Sequence, residues 1–183
     1  VALPLYILLS LKAGISADEY LHYQQSEKVF DYYKSLGKNK EAAQETITHL
    51  NHYGQFYDNL ITAIERVCNI KNTYALRHLA SAFAGWLVLL ISGLFIAKLK
   101  GYRAAILGVI ILVLSPKFLG HSLNNLKDIP FALAYVWFFF ALYKYLVSLP
   151  LSSTGKLVVL GLSIAFAISI RIGGVILYCY MFF

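Results

Sequence analysis

The sequence predicts an all-α protein built into a membrane, and three observations carry that prediction. Apolar runs of near-spanning length recur from Leu79 onward, above all Leu79 to Ala97, which holds no charge. The chain is 59% hydrophobic and only 14% charged, with mean hydropathy +0.64, whereas roughly a quarter of the residues in a soluble domain are charged. The polar residues are also segregated. Eight of the nine acidic side chains lie between Asp18 and Glu65, and Asp128 is the sole one after them. The expected architecture is a polytopic helical membrane protein with an amphipathic helical lobe outside the bilayer after the first span. One membrane-embedded unit over residues 1–183 is expected, with residues 16–73 as its lobe.

A net charge of +7 could suggest nucleic acid as a partner. However, the basic residues are scattered, and several stand at the ends of apolar runs, where they anchor and orient helices. Membrane lipids are therefore the expected partner and nucleic acid is not. Cys68 and Cys179 sit far apart and define neither a disulfide framework nor a metal spacing. The chain opens on Val1 and stops on Phe183, each inside an apolar stretch, so it is expected to be part of a longer protein. Val1 to Leu11 then reads as the exit half of a first span. It lacks the basic leader and small-residue cleavage site of a signal peptide.

Ser16-Ala17-Asp18-Glu19 has capping-box spacing and predicts a helix from Ala17 that ends near Gly37. A second short helix is expected over Glu41 to Leu50 and a third over Tyr53 to Val67, with Phe56, Leu60, Ile64 and Val67 at helical spacing. Their amphipathic, Tyr- and His-rich character suits elements lying in the headgroup layer. Tyr74 to Ala97 is the clearest span. It ends at Lys98-Leu99-Lys100-Gly101-Tyr102-Arg103, a short cationic loop that marks the cytoplasmic side. Ala104 to Leu114 returns, extending towards Leu119, and Lys117 to Lys127 is expected as a loop on the opposite side. Ile129 to Tyr143 crosses again with Pro130 in its first turn. A loop follows over Lys144 to Lys156. Leu157 to Ile170 then ascends until Arg171-Ile172-Gly173-Gly174 breaks it, and Val175 begins another span. This count puts the lobe, Asp128 and Arg171 on one side, expected to be non-cytoplasmic.

Asp18 and Glu19 stand just outside the first span. They fit a general base at the water interface, and equally an acidic helix start favoured by the backbone dipole. Asp128 fits a helix cap, and equally a second carboxylate that orients the base, binds a metal or holds a sugar hydroxyl. His121, Asn124, Asn125 and Lys127 beside it supply donors for phosphate or sugar. Arg171 fits snorkelling to headgroups, or a bidentate clamp on a lipid phosphate. Candidate phosphate contacts are thus Lys127, His121 and Arg171. Candidate substrate contacts are Tyr53, Asp58 and Asn125, although His52, Tyr53 and Asp58 also suit a packed helix entrance. A divalent cation (Mg, Mn or Zn) requires that Asp18, Asp128 and a histidine converge, and no His/Cys spacing specifies one. No phosphate-binding glycine loop, nucleophile elbow or H-E-x-x-H is present, so a lipid-borne donor is expected for any phosphate chemistry.

Taken in order, several motifs now combine. They are Asp18-Glu19, His52-Tyr53-Gly54 with Asp58, Arg77-His78, Ser115-Pro116-Lys117-Phe118, Gly120-His121-Ser122, Asn124-Asn125, Lys127-Asp128-Ile129-Pro130-Phe131 and Ser169-Ile170-Arg171. Together they resemble the N-terminal half of GT-C glycosyltransferases, nearest the protein O-mannosyltransferase and aminoarabinose-transferase branch. The resemblance implies an integral membrane enzyme, expected in a bacterial inner membrane with its site on the periplasmic side. It would move a sugar, usually with inversion, from a polyprenyl-phosphate carrier to a lipid, glycan or protein acceptor. It also implies Asp18 as the base and Asp128 as a second acid, with Arg171 near the carrier phosphate; members differ in metal dependence, so it does not call for a cation. The rival from another class is a transporter or flippase-like subunit, in which the same polar groups line a path through discontinuous helices. A non-catalytic assembly protein, with Asp128 and Arg171 in structural contacts alone, is the third reading.

Overall fold

The computed structural model describes residues 2–44, 50, 54–151 and 153–182. Among them every regular element is helical. The order is α1 (Ala2–Ser10), α2 (Ala17–Lys34), α3 (Glu41–Gln44), α4 (Phe56–Cys68), α5 (Thr73–Lys100), α6 (Tyr102–Leu114), α7 (Pro116–Asn124), α8 (Asp128–Leu146), α9 (Thr154–Ile170), a 3-10 turn (Ile172–Val175) and α10 (Ile176–Phe182). Residues 45–49 and 51–53 hold the rest of the predicted second helix, His52 and Tyr53, and lie outside the described residues.

α5 is the axis of the fold. Its 28 residues span about 42 Å at 1.5 Å per residue, against roughly 30 Å of hydrocarbon. The surplus lies in its polar first turns, Thr73 to His78, which pack against the lobe, and in its cationic end, Lys98 to Lys100, leaving Leu79 to Ala97 for a bilayer. α1, α6, α7 and α8 surround it. Small residues line these contacts: Ala82 and Ala84 are fully buried, and Val88 meets Ile129 and Leu133 of α8. Such residues let helix backbones approach where no hydrophobic effect drives them together. A second cluster, Ala134, Phe138 and Ala141 with Leu160, Ile164 and Ala167, joins α8 to α9. Ile106, Leu107, Ile110, Ile111 and Leu114 of α6 point outward, as a lipid-facing surface should.

α5 and α8 are each long and apolar enough to cross a membrane, and α6 with α7 forms a third such unit bent by 71°. That bend corrects one expectation. Residues 117–127 were expected as a loop, but Pro116–Asn124 is helical. Ser115 and Pro116 end one helix and also start the next. The Phe118 main-chain N–H donates to Ser115 Oγ (3.4 Å), and proline occupies the first turn, where its missing N–H costs nothing. α7 then lies against α5, with Ser81 Oγ donating to the His121 carbonyl (3.3 Å). α2 also ends earlier than expected, at Lys34, because Leu36 (φ 54°) and Gly37 (φ 81°) both turn left-handed.

In the lobe, α2 lies on α4 through Ser26 and Thr62, whose hydroxyls are 2.7 Å apart, and through an Arg66–Glu27 ion pair. α4 is amphipathic in an unusual sense. Its buried face is Asp58, Ile61, Thr62 and Glu65, whereas Phe56, Leu60, Ile64 and Val67 are exposed. A polar inner face with an apolar outer one suits a helix resting on lipid.

The α5–α7 contact is close enough to test. A Cβ on Gly85 would lie 2.7 Å from Ser122 Cβ. Gly85→Ala is expected to destabilise the protein by about 1–3 kcal/mol through overpacking. Gly85→Ala with Ser122→Gly should recover most of that loss, read from thermal unfolding in detergent.

Candidate active site

Four parts of the chain converge where the lobe meets the helix ends. They enclose a cavity of about 370 Å³ lined by Ser16, Asp18, Glu19 and His22 from the start of α2, Asp58 from α4, Arg77 from α5, and His121, Asn124, Asn125, Leu126, Lys127 and Asp128 from the α7–α8 junction.

The α2 side begins with the predicted cap. The Ser16 main-chain N–H donates to Glu19 Oε2 (3.3 Å). Glu19 is buried, and His78 Nε2 stands 3.0 Å from its Oε1, while His78 Nδ1 stands 3.2 Å from the Ser10 carbonyl. Glu19 and His78 therefore tie the end of α1, the start of α2 and the first turns of α5 together. Adjacent helix positions diverge by about 100°, so turning Glu19 inward leaves Asp18 exposed on the cavity. The Asp18 side chain makes no hydrogen bond or ion pair among the described residues.

The floor is a buried ion pair. Arg77 and Asp58 bond directly, and Arg77 Nη1 also donates to Thr62 Oγ1 (3.4 Å) while its guanidinium lies 5.5 Å from the Tyr23 ring centre. Burial pushes the Asp58 carboxyl up to about 6, with Arg77 opposing it. His22 lies alongside, its Nδ1 2.9 Å from Gln55 Nε2 and 3.9 Å from Asp58 Oδ2. Burial, helped by Lys127 and Arg77, brings His22 down to about 4. Gly54 lets this floor reach α9, since a Cβ there would lie 2.0 Å from the Ser169 carbonyl oxygen.

The far wall is set by Asn125, whose Oδ1 accepts from the main-chain N–H groups of Lys127 (3.0 Å) and Asp128 (2.7 Å). This side chain, rather than Asp128, occupies the exposed donors at the start of α8. The Asp128 carboxylate is thereby left for Arg171, 2.5 Å away, and for Asn125 Nδ2, 2.9 Å away. Arg171 reaches it from the break after α9 and lies 5.7 Å from the Phe131 ring centre. Asn124 Nδ2 donates to the Gly14 carbonyl (2.9 Å) and ties this wall to the α1–α2 connection.

Of the predicted site residues, Asp18, Glu19, Asp128, Lys127, His121, Asp58 and Asn125 thus border one cavity. Arg171 adjoins it through Asp128, and Tyr53 lies outside the described residues. Two of the expected substrate contacts are already engaged by protein: Asp58 by Arg77, and Asn125 by the α8 start, Asp128 and His121. Among the described residues no group of three or more His, Cys, Asp or Glu gathers to hold a metal. His22, Arg77 and His78 were not singled out as site residues. The available signal was an Arg-His pair in the first turns of the longest apolar helix, where ionisable groups need partners.

Helices long and apolar enough to cross a membrane, an amphipathic lobe and a cavity carrying acids, amides and cations together describe an integral membrane protein with a polar site. The family model for dolichyl-phosphate-mannose-protein mannosyltransferase matches residues 11–183, and the chain belongs to that family. Membership places it among glycosyltransferases that draw sugar from a polyprenyl-phosphate donor. Comparisons with curated proteins and with solved structures find no match.

The shifted His22 gives a pH test. Its folded value of about 4 lies below the ordinary 6.5, so on acidification the unfolded chain binds the proton first and the wild type loses stability between those values. His22→Gln can still bond Gln55 but cannot titrate. Its stability relative to wild type should rise by roughly 2 kcal/mol from pH 7 to pH 5, measured by denaturant or thermal unfolding at each pH.

Proposed function

We propose that the cavity is where a mannose leaves its polyprenyl phosphate and is taken by a protein hydroxyl, with Asp18 as general base. One observation carries this. Every other acid at the cavity is engaged by protein: Glu19 by His78 and the Ser16 N–H, Asp58 by Arg77, Asp128 by Arg171 and Asn125. Asp18 alone combines exposure to the cavity with the lack of such a bond among the described residues.

The acceptor hydroxyl attacks the anomeric carbon from the face opposite the phosphate, which inverts that centre. As the new C–O bond forms, its proton passes to an Asp18 carboxylate oxygen, and the old C–O bond breaks with its electron pair leaving on the polyprenyl phosphate. Charge growing on that phosphate is steadied by His121 and Lys127 at the cavity wall and by Arg171 behind Asp128. Glu19 acts at one remove, fixing the α2 start so that Asp18 faces the sugar. Asp128 likewise holds Arg171 in place. The cationic turn at Gly101, flanked by Lys98 and Lys100 at the end of α5 and by Arg103 at the start of α6, favours a non-cytoplasmic site.

Asp18→Asn keeps the shape and removes the base. It should lower kcat for transfer by about 10²- to 10⁴-fold while donor binding persists. The assay is transfer from polyprenyl-phosphate mannose to a Ser/Thr peptide by the full-length protein in liposomes. Undiminished transfer in Asp18→Asn rules out the proposed base, whereas no transfer even by the wild type is what a transport or assembly role predicts.

A further inference from the structure

Asn125 is a cavity residue whose hydrogen-bond inventory closes. Its Oδ1 faces two main-chain N–H groups, of Lys127 (3.0 Å) and Asp128 (2.7 Å), both of which can only donate. That fixes which end of the amide is oxygen and which is nitrogen, a choice otherwise open for an asparagine. Nδ2 then has two hydrogens to place, and two neighbours stand at 2.9 Å: Asp128 Oδ2 and His121 Nδ1. The carboxylate, ion-paired to Arg171, accepts one. The other goes to His121 Nδ1, which must offer a lone pair. A ring bare at Nδ1 carries its hydrogen on Nε2.

We propose that Asn125 is a positioning residue that holds His121 in the Nε2–H form, so the ring presents an N–H to the phosphate of the lipid-linked sugar. His121 lines the cavity, and with Nδ1 engaged, Nε2 is the ring's remaining polar atom there. Among the described residues Nε2 has no protein hydrogen-bond partner. The opposite tautomer would turn a lone pair towards the phosphate oxygens, setting two acceptors against each other. The scaffold supports a fixed ring: His121 and Asn125 are four residues apart at the end of α7, the Asn125 main-chain N–H donates to the His121 carbonyl (2.9 Å), and Ser81 Oγ donates to the same carbonyl (3.3 Å). Asp128 thereby acts twice, orienting Arg171 directly and His121 through Asn125. The donor role rests on the reading of this cavity as the sugar-phosphate site, whereas the tautomer does not.

The test uses full-length protein in lipid nanodiscs with ¹⁵N-labelled histidine, the His121 signals being identified by their loss in His121→Gln. The expected wild-type spectrum shows Nδ1 unprotonated and Nε2 protonated. A hydrogen on Nδ1 overturns the proposal whether or not Asn125→Asp folds. Asn125→Asp retains an oxygen for both main-chain N–H groups but offers the ring no donor. It should move the hydrogen to Nδ1 and lower kcat by roughly 10- to 100-fold with little change in donor KM. In a His121→Gln background, whose amide N–H takes the place of Nε2–H, Asn125→Asp should cost several-fold less than in the wild type, the remainder being the lost Nδ2 hydrogen bond to Asp128. Equal losses in both backgrounds mean that Asn125 only supports the loop, which overturns the proposal. A shifted hydrogen with unchanged kcat overturns the donor role and leaves the assignment of Asp18 standing.

Discussion

The Arg77–Asp58 pair is the constraint on which the rest of the structure depends. Arg77 is fully buried in the first turns of the longest helix, and Asp58 is buried on a helix of the lobe. Neither charge is tolerable there alone. Breaking such a pair by removing one partner typically costs about 3–5 kcal/mol, because it strands the other. The pair itself adds less net stability than that figure suggests, since both ions first had to leave water. What it supplies is registry. It specifies which turn of α5 the lobe sits on, and so brings α2 and the α7–α8 junction to the same space. Glu19 with His78 repeats the device on the other side of α5. Two neighbouring residues of one helix, Arg77 and His78, thus clamp α4 and α2 respectively.

Much of this was legible in the chain. Uncharged runs announce α5 and α8, Ser16 and Glu19 announce the start of α2, and the isolation of Asp128 marks it as a residue with a task. The segregation of acids into two places is consistent with Asp18 and Asp128 bordering one cavity. The pairings themselves were not legible. Glu19 with His78 and Asp128 with Arg171 each join residues far apart in sequence, and periodicity speaks only to neighbours within a helix. Arg171 looked suited to a lipid phosphate because no local residue competes for it. Its carboxylate partner arrives through the packing of α8 on α9. The helix at Pro116–Asn124 was missed for a different reason. Ser115-Pro116 stops α6 as firmly as it starts α7, and a short polar stretch beyond a proline reads as a turn.

Carboxylates that look alike in sequence are sorted by their surroundings. Asp18 and Glu19 are adjacent, yet one step along the helix sends Glu19 to an imidazole and Asp18 to the cavity. Asp128 could have capped α8, but Asn125 performs that task with an uncharged oxygen. A neutral cap does not compete with Arg171, so the charge at the wall remains available to hold another charge. The family membership and the geometry agree in kind: an enzyme handling a sugar phosphate needs an acid that stays unengaged and cations held close to where charge will develop.

The outward row of Phe56, Leu60, Ile64 and Val67 on α4 has a consequence for depth. Exposed to water, such a row would forgo about 25 cal/mol for each Å² of apolar surface, a loss that vanishes among acyl chains. The lobe therefore carries its own waterline, set by the same helix whose inner face supplies Asp58. With that row immersed, Asp58 on the inner face of the same helix would lie near headgroup depth. On the proposed reading of the cavity, a carrier tethered by a long isoprenoid tail would dock its head while the tail stays in oil, so delivery would demand sideways diffusion and no extraction.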